Sequence, residues 1–394
     1  MQYTLRPYQT QAVNKLLWAQ QFPEPDVCVL PTGAGKSLVI ADLAHKLKQP
    51  TLILQPSREI LLQNKAKMET YVPASEIGVY SAGVGRKDLG FFTFATIQSV
   101  YTKPELFSHF NQVIIDECHA VNPANLGGMF TSFLHNIGNP KVTGFTATPY
   151  RQAQMYSWED GSLYTHTVTK LITRMKQRFW NRIVFNIDNA DLVTAGYLVP
   201  LQYIDKSIIQ HGDIPTNISK SDFDLKGFEK KIADKKREVV ESVFFAQELA
   251  HNVLVFCSSV EQAEDLANII PDSAVVTAKT KKKDRDNIIK EFRDGEIKTV
   301  FNVGVLTTGF DHPALDCILL LRPTRSIALY YQMLGRGVRL SDGKTHCKVI
   351  DMTGTVKQLG RIETIRLVRR QMWELESEKC LNWHNKPMYS FQVK

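Results

Sequence analysis

The apolar run Val27-Cys28-Val29-Leu30 passes directly into Pro31-Thr32-Gly33-Ala34-Gly35-Lys36-Ser37, and a helical pattern follows from Ser37 to Leu47. A buried strand, a glycine-rich turn and a helix in this order make a βα unit, which is stable in a parallel sheet covered by helices. The turn falls at a helix N-terminus, where unpaired amides and the helix dipole favour an anion. Its residue types suit a phosphate chain. Backbone N–H groups converge over Gly33 to Ser37, Lys36 brings a cation, and Ser37 offers a hydroxyl of the kind that helps hold magnesium. The segment departs from G-x-x-x-x-G-K-[ST] at Leu30, where glycine is expected, so alone it also reads as an ordinary strand-to-helix turn.

Val113-Ile114-Ile115-Asp116-Glu117-Cys118-His119 decides between these readings. An apolar run ending in adjacent carboxylates is what a buried strand presenting Asp116 to magnesium and Glu117 to a water looks like. The two segments together point to nucleotide hydrolysis, with ATP and Mg²⁺ as the implied cofactors.

At 394 residues the chain is too long for one ordinary core, and two domains with room for an insertion are expected. No apolar run reaches the length of a membrane span, and Met1-Gln2-Tyr3-Thr4-Leu5-Arg6 lacks a signal-peptide core, so the expected location is the cytoplasm of a bacterium or a phage-infected cell, away from any membrane. Cys28, Cys118, Cys257, Cys317, Cys347 and Cys380 are scattered and mostly sit in apolar runs, as small buried hydrophobes do. Cys380 and His384 have a spacing seen around metals, but no second pair accompanies them. The net charge of +8 suits a polyanionic partner. Its clusters at Lys226 to Arg237, Lys279 to Arg285 and Arg361 to Arg370 read also as solvated helix faces or loops, and the first, interleaved with Glu229, Asp234 and Glu238, reads as such a face.

Strand and helix patterns alternate through two stretches, which implies an α/β fold of two parallel-sheet domains. The first stretch has strands over 27–30, 51–54, 91–95, 113–115 and 142–145; the second has them over 253–257, 274–277, 299–303, 317–321 and 347–350. The expected organisation is a first domain over 1–150, a connector over 151–250, a second domain over 251–355 and a helical tail over 356–394. The connector carries a predicted helix over 228–249 and a predicted β-hairpin over 155–166 with Asp160-Gly161 as its turn. Tyr156, Trp158 and Tyr164 on that hairpin suit either a wedge against a nucleic-acid duplex or packing on their own domain.

The motifs in their order resemble superfamily 2 helicases, which implies two tandem RecA-like domains. Leu5-Arg6-Pro7-Tyr8-Gln9 is similar to that family's adenine-reading segment, with Gln9 and Arg6 on the nucleotide side. It also reads as a turn capping the first helix. Pro56-Ser57-Arg58-Glu59 and Phe94-Ala95-Thr96-Ile97-Gln98-Ser99 resemble loops that hold a strand by its backbone, through Ser57, Arg58, Thr96, Gln98 and Ser99. Ser57 and Thr96 also read as helix caps. Phe145-Thr146-Ala147-Thr148-Pro149 resembles the motif linking hydrolysis to strand handling, although Thr146 and Thr148 could merely cap the next element.

In the second domain the resemblance puts Ser258, Thr307 and Thr308 on the strand and Gly309 and Asp311 on the nucleotide. Gln332-Met333-Leu334-Gly335-Arg336-Gly337-Val338-Arg339 is similar to the segment whose arginines complete the hydrolytic site. Arg336 and Arg339, three apart on a predicted helix, would share a face with Gln332 nearby. Arginines supplied from a separate domain stabilise charge on the γ-phosphate as a cleft closes.

The chain further resembles the RadD-type helicases at 4–9, 30–41, 116–119 and 306–311. That family implies work on replication, recombination and repair intermediates, including branch migration, with single-stranded, forked or branched DNA as partner. The cysteine-rich zinc-like tail of its longer members is not in this sequence. Other readings stay open: the motor subunit of a restriction-type system, a nucleotide-gated nucleic-acid clamp, or an RNA helicase, since backbone-gripping loops do not by themselves distinguish sugars.

Overall fold

The structure is a computed structural model that describes residues 3–122, 128–159, 162–175, 178–217, 221–306, 312–370 and 373–378, with the backbone alone over 154–159 and 162–167. It divides into two compact units, residues 1–151, 170–188 and 367–374 in the first, and 152–169, 189–366 and 375–394 in the second.

The first unit begins with α1 (Pro7–Ala19), β1 (Asp26–Val29), α2 (Lys36–Leu47), β2 (Thr51–Gln55) and α3 (Arg58–Met68). Then come β3 (Ile77–Ser81), β4 (Arg86–Asp88), β5 (Phe92–Thr96), α4 (Ile97–Val100), β6 (Gln112–Asp116), α5 (Met129–Asn136) and β7 (Lys141–Thr146). β8 (Tyr150–Glu159) and β9 (Ser162–Leu171) pair as a two-stranded sheet, in agreement with the expected hairpin, whose turn lies outside the described residues. β10 (Arg182–Asn186) returns to the first unit and completes an eight-stranded sheet of order β10-β1-β7-β6-β2-β5-β3-β4. All its pairs are parallel except β3 with β4. β1, β2, β3, β5 and β6 are buried along their whole length, as strands covered on both faces must be.

The second unit contains α6 (Asn189–Thr194), β11 (Leu201–Asp205), α7 (Leu225–Lys231), α8 (Lys236–Leu249), β12 (Val253–Cys257), α9 (Val260–Ala267), β13 (Ser273–Val276) and α10 (Lys282–Asp294). β14 (Thr299–Asn302), β15 (Cys317–Leu321), α11 (Ile327–Leu334), β16 (Cys347–Asp351) and α12 (Thr355–Leu359) follow. Its six-stranded sheet, β11-β16-β15-β12-β14-β13, is parallel throughout. Phe228, Val239, Val243, Phe301 and Leu319 meet in its core. This is the two-domain parallel α/β architecture expected from the alternation of elements, and the RecA-like arrangement implied by the superfamily 2 resemblance.

Three expectations differ. The span 151–250 is divided between the units: β10 lengthens one sheet and β11 the other. β10 was invisible because Arg182-Ile183-Val184-Phe185-Asn186 lacks a long apolar run. It is fixed by the Arg182 guanidinium and Lys141 ammonium on the fully buried Asp26, and Trp180, just before it, fills the space left by Gly144. The helix over 228–249 is broken into α7 and α8, with Ile232 turned out of helical geometry and buried with Phe228 in one core. The described part of 356–394 is not a helical tail. After α12, β17 (Arg366–Arg369) and β18 (Trp373–Glu376) pair, since Arg366-Leu367-Val368-Arg369 and Trp373-Glu374-Leu375-Glu376 lack the apolar spacing of a helix face.

Candidate active site in the first unit

The sheet order brings the ends of β1, β7 and β6 side by side, with Val29 opposite Thr146 and Asp116 opposite Phe145. The phosphate-type loop, Thr146-Ala147-Thr148 and Asp116-Glu117 therefore leave one sheet edge together, where open parallel sheets bind ligands. Leu30 extends β1 by donating to the Thr146 carbonyl at 3.0 Å and is fully buried. A core role at the strand end explains the missing glycine. Gly33 (φ 84°) and Gly35 (φ 77°) lie later, where the loop needs left-handed backbone.

Arg6, Tyr8 and Gln9 clamp this loop. Gln9 Nε2 donates to the Ala34 carbonyl at 2.9 Å and Tyr8 Oη to the same oxygen at 2.7 Å, while Gln9 Oε1 accepts from the Arg6 amide at 2.9 Å. A Cβ on Gly35 would stand 2.4 Å from Gln9 Nε2, so this glycine also clears room for the clamp. The motif lies against the phosphate loop and caps α1 at the same time. Tyr8 is an addition to the residues named from sequence. It shares the buried face of α1 with Ala12 and Leu16, and that spacing reads as core.

Lys36, the first residue of α2, bonds Glu117 Oε1 and lies 3.6 Å from Asp116 Oδ1. Burial works against the Lys36 ammonium, but Glu117 and Asp116 outweigh it and raise its pKa. Burial also raises the Asp116 pKa, opposed chiefly by Lys36. Asp116 accepts from the Glu117 amide at 2.9 Å and from Asn64 Nδ2 at 3.1 Å, and Asn64 reaches Gln55 Oε1 at 2.9 Å. Asn64 and Gln55 went unread in the sequence. A buried polar residue inside the α3 pattern and a glutamine ending an apolar strand were the available signals. Glu117 stands in left-handed backbone at φ 49°, a strained setting for a side chain and one common at functional sites.

His119 joins the carboxylates to the end of β7. Its Nδ1 is 2.8 Å from Thr146 Oγ1, 3.3 Å from Thr148 Oγ1 and 3.4 Å from Glu117 Oε2. Burial lowers its pKa and favours the neutral ring.

Asp116 and Ser37 are hard oxygen donors of the kind Mg²⁺ takes, with phosphates and water completing its shell. Among the described residues no group of three or more His, Cys, Asp or Glu is arranged so that it could hold a metal ion by itself.

The other sequence-named residues are placed variously. Ser57 caps α3, accepting from the Ile60 amide at 3.3 Å. Thr96 meets Ser99 Oγ at 2.9 Å and Ser81 Oγ at 3.5 Å, and Ser99 accepts from the Ala82 amide, so these hydroxyls tie the ends of β3 and β5. Gln98 is exposed and Arg58 half-buried. In the second unit Ser258 is buried and donates to Glu229 Oε1 at 2.8 Å and Gln262 Oε1 at 3.0 Å. Gln332 lies on α11, half-buried. Arg336 and Arg339 do not share a helix face, because α11 ends at Leu334 and both follow it in a turn through Gly335 and Gly337. Gly337 passes so close to β16 that a Cβ would stand 2.5 Å from Cys347 Sγ. Lys344 Nζ fastens this turn, donating to the carbonyls of Pro313 (2.9 Å), Gly337 (2.7 Å) and Arg339 (3.0 Å). Burial lowers the Arg339 pKa to about 10. Thr307, Thr308, Gly309 and Asp311, and the side chains of Tyr156, Trp158 and Tyr164, lie outside the described residues.

Two helicase domains are matched in order: residues 2–151 match the family Type III restriction enzyme, res subunit, and residues 235–341 match the helicase conserved C-terminal domain. The chain thus carries two helicase-type domains in tandem. It is 26% identical over 378 residues to the putative ATP-dependent helicase IRC3 of Saccharomyces cerevisiae, covering 89% of this chain and 51% of the yeast protein. It is 29% identical over 322 residues to a DNA 3'-5' helicase XPB of Kineococcus radiotolerans, covering 79% of this chain and 52% of that protein. The chain therefore spans about half the length of these relatives. Among solved structures, a fragment of a putative HsdR subunit of a type I restriction enzyme from Vibrio vulnificus superposes with a TM-score of 0.65 over 92% of this chain and 67% of that one, at 22% identity. This likeness is one of fold. Among the described residues no helix is long and apolar enough to cross a membrane.

Proposed function

We propose that this chain is an ATP-dependent DNA helicase or translocase that couples hydrolysis to movement on forked or branched DNA in replication, recombination or repair, in the cytoplasm. The observation that carries this reading is the continuous path from Lys36 through Glu117 and His119 to Thr146 and Thr148, which wires a phosphate site to a neighbouring strand end. Lys36 would exchange its carboxylate partners for the β and γ phosphates of ATP, with Gln9 beside the base. Ser37 and Asp116 would hold Mg²⁺, which neutralises phosphate charge. Glu117 would orient and deprotonate the attacking water. Arg336 and Arg339 would complete the site on closure, and Ser57, Arg58, Thr96, Gln98, Ser99, Ser258, Thr307 and Thr308 would grip a strand. The β8–β9 hairpin would split a duplex with Tyr156, Trp158 and Tyr164. The DNA helicase named among the relatives supports DNA over RNA, and the RadD-type likeness rests on the quoted motifs.

Strand displacement measured on forked, four-way and linear DNA and on the RNA equivalents tests this. Faster ATP-dependent unwinding of forked or four-way DNA is expected; ATPase stimulated by single strands with no displacement on any substrate would leave a nucleotide-gated clamp instead. A second reading, the motor of a restriction-type system, is favoured by the family matched over 2–151 and by the HsdR likeness. Co-purification of a nuclease subunit from the native source would decide for it.

A further inference from the structure

A groove of about 630 Å³ lies in the first unit and is walled by three segments distant from one another in sequence. α1 gives Lys15 and Trp18, spaced three apart on its outward face. The run into β10 gives Arg174, Arg178 and Arg182, and the β17–β18 pair gives Arg369 and Trp373. Five of its described lining residues are cations and none is a carboxylate. Arg182 is committed to the buried Asp26, and its guanidinium lies 4.3 Å from the Phe22 ring centroid and 5.8 Å from that of Trp18. Lys15, Arg174, Arg178 and Arg369 form no ion pair with a carboxylate among the described residues, and Arg174 Nη2 is buried there without a hydrogen-bond partner.

Like charges gathered in a concave wall repel one another and focus a positive potential, an arrangement that an anion relieves. The aromatic residues add a second requirement. Trp18 is 54% exposed while it packs on Phe22 in an edge arrangement at 4.9 Å and lies under the Arg182 guanidinium, so much of the residue stays in water. Trp373 stands half-buried opposite, with the Arg369 guanidinium 6.0 Å from its ring. Cations that meet phosphates, interleaved with aromatic faces that meet bases, are how proteins hold single strands without reading their sequence. An acidic protein would satisfy the charges but would have little use for exposed indole rings beside them. A shallower cavity of about 420 Å³ continues along α1 through Asn14, Gln11 and Thr10 to Pro7, sharing Lys15 and Trp18. One helix thus carries the groove toward one end and the Ala34 clamp at the other.

We propose that this groove binds single-stranded DNA, with backbone phosphates on Lys15, Arg174, Arg178 and Arg369 and bases stacked on Trp18 and Trp373. The proposal rests on the reading of the chain as acting on DNA and adds a contact surface apart from the strand-gripping loops named from sequence. Its test is fluorescence anisotropy of the full chain with a labelled oligo-dT across a salt series, run in parallel with a blunt duplex. Trp18→Ala with Trp373→Ala is expected to weaken oligo-dT binding about tenfold or more, the scale of losing stacked bases, and to affect the duplex less. Arg178→Gln with Arg369→Gln is expected to flatten the slope of log affinity against log salt by about 1.4, from about 0.7 per phosphate contact on single strands. An unchanged thermal midpoint in both double variants checks that they fold. Affinity and slope equal to the parent's would overturn the groove, and an equal loss on the duplex would overturn the single-strand assignment. Failure of the unsubstituted chain to bind any oligonucleotide would instead sink the DNA reading itself, so the two failures are told apart.

Discussion

The two RecA-like units hold the residues proposed to meet phosphate by different means. In the first, charged side chains are tied to one another: Lys36 to Glu117 and Asp116, Asp116 to Asn64, Glu117 to His119 and His119 to Thr146. In the second, the turn carrying Arg336 and Arg339 is held through its main chain, by Lys344 on three carbonyls and by the close approach of Gly337 to β16. On the proposed function, the first site would be preset by electrostatics and would have to exchange partners to work, while the second would be preset by backbone geometry. The difference teaches where substitutions should cost chemistry and where they should cost positioning.

The largest effect belongs to the electrostatic site. Lys36→Ala or Glu117→Gln should lower phosphate release by about 10³-fold or more, in line with losing a phosphate cation or a general base. Glu117→Gln should keep nucleotide affinity and Lys36→Ala should weaken it. Full ATPase activity in either variant would end the assignment of these roles.

Arg336→Ala should approach the same loss, about 10³-fold, because it removes charge stabilisation from the transition state. Lys344→Met sharpens the comparison. Lys344 acts only through the turn, so kcat should fall on the order of tenfold with KM for ATP little changed, and Lys344→Arg should recover part of it. A KM effect alone would mean that the second unit is not held as described.

Much of this was legible beforehand, for a physical reason. The strands buried on both faces are continuous apolar runs, so β1, β2, β6, β12 and β15 stand out, and the residues proposed to meet phosphate follow the C-terminal ends of β1 and β6. Illegible were the elements whose burial depends on distant partners. β10 buries only Ile183 and Phe185 of its own and is tied down by the Arg182–Asp26 pair, and β11 is an edge strand of mixed exposure. The arginine turn has the spacing of a helix because it follows directly on Gln332 to Leu334 of α11, which ends at Leu334 with Gly335 as its cap. Asn64, Tyr8 and Lys344 escaped for a common reason. Each acts on a neighbour's oxygen, and spacing along the chain carries no trace of such a contact.

Asn64→Ala probes the outer layer of the electrostatic site. Asp116 would lose one hydrogen bond and keep the Glu117 amide, so a reduction of about 5-fold in ATP turnover is expected, the equivalent of about 1 kcal/mol. A loss as deep as that of Glu117→Gln would show that Asn64, rather than Lys36, sets the position of Asp116.

The smallest effect reads the second unit through its histidines. Burial lowers the pKa of His312 to about 4, assisted by Arg293 and Lys344 and opposed by Asp316, and burial with Arg325 does the same for His211. The unfolded chain takes up these protons near pH 6.5, whereas the folded unit resists them until about pH 4. Stability from these groups is therefore complete above pH 6.5 and is lost as the pH falls toward 4. Across that window each histidine should lower stability by about 1 kcal/mol per pH unit, or a few degrees in thermal midpoint. His312→Gln should flatten the pH dependence of the midpoint between pH 7 and 5 without altering ATP turnover at pH 7.5. The same steepness with and without His312 would return the acid sensitivity to His211 or to His119 in the first unit, whose pKa burial also lowers, and His211→Gln would tell the two apart.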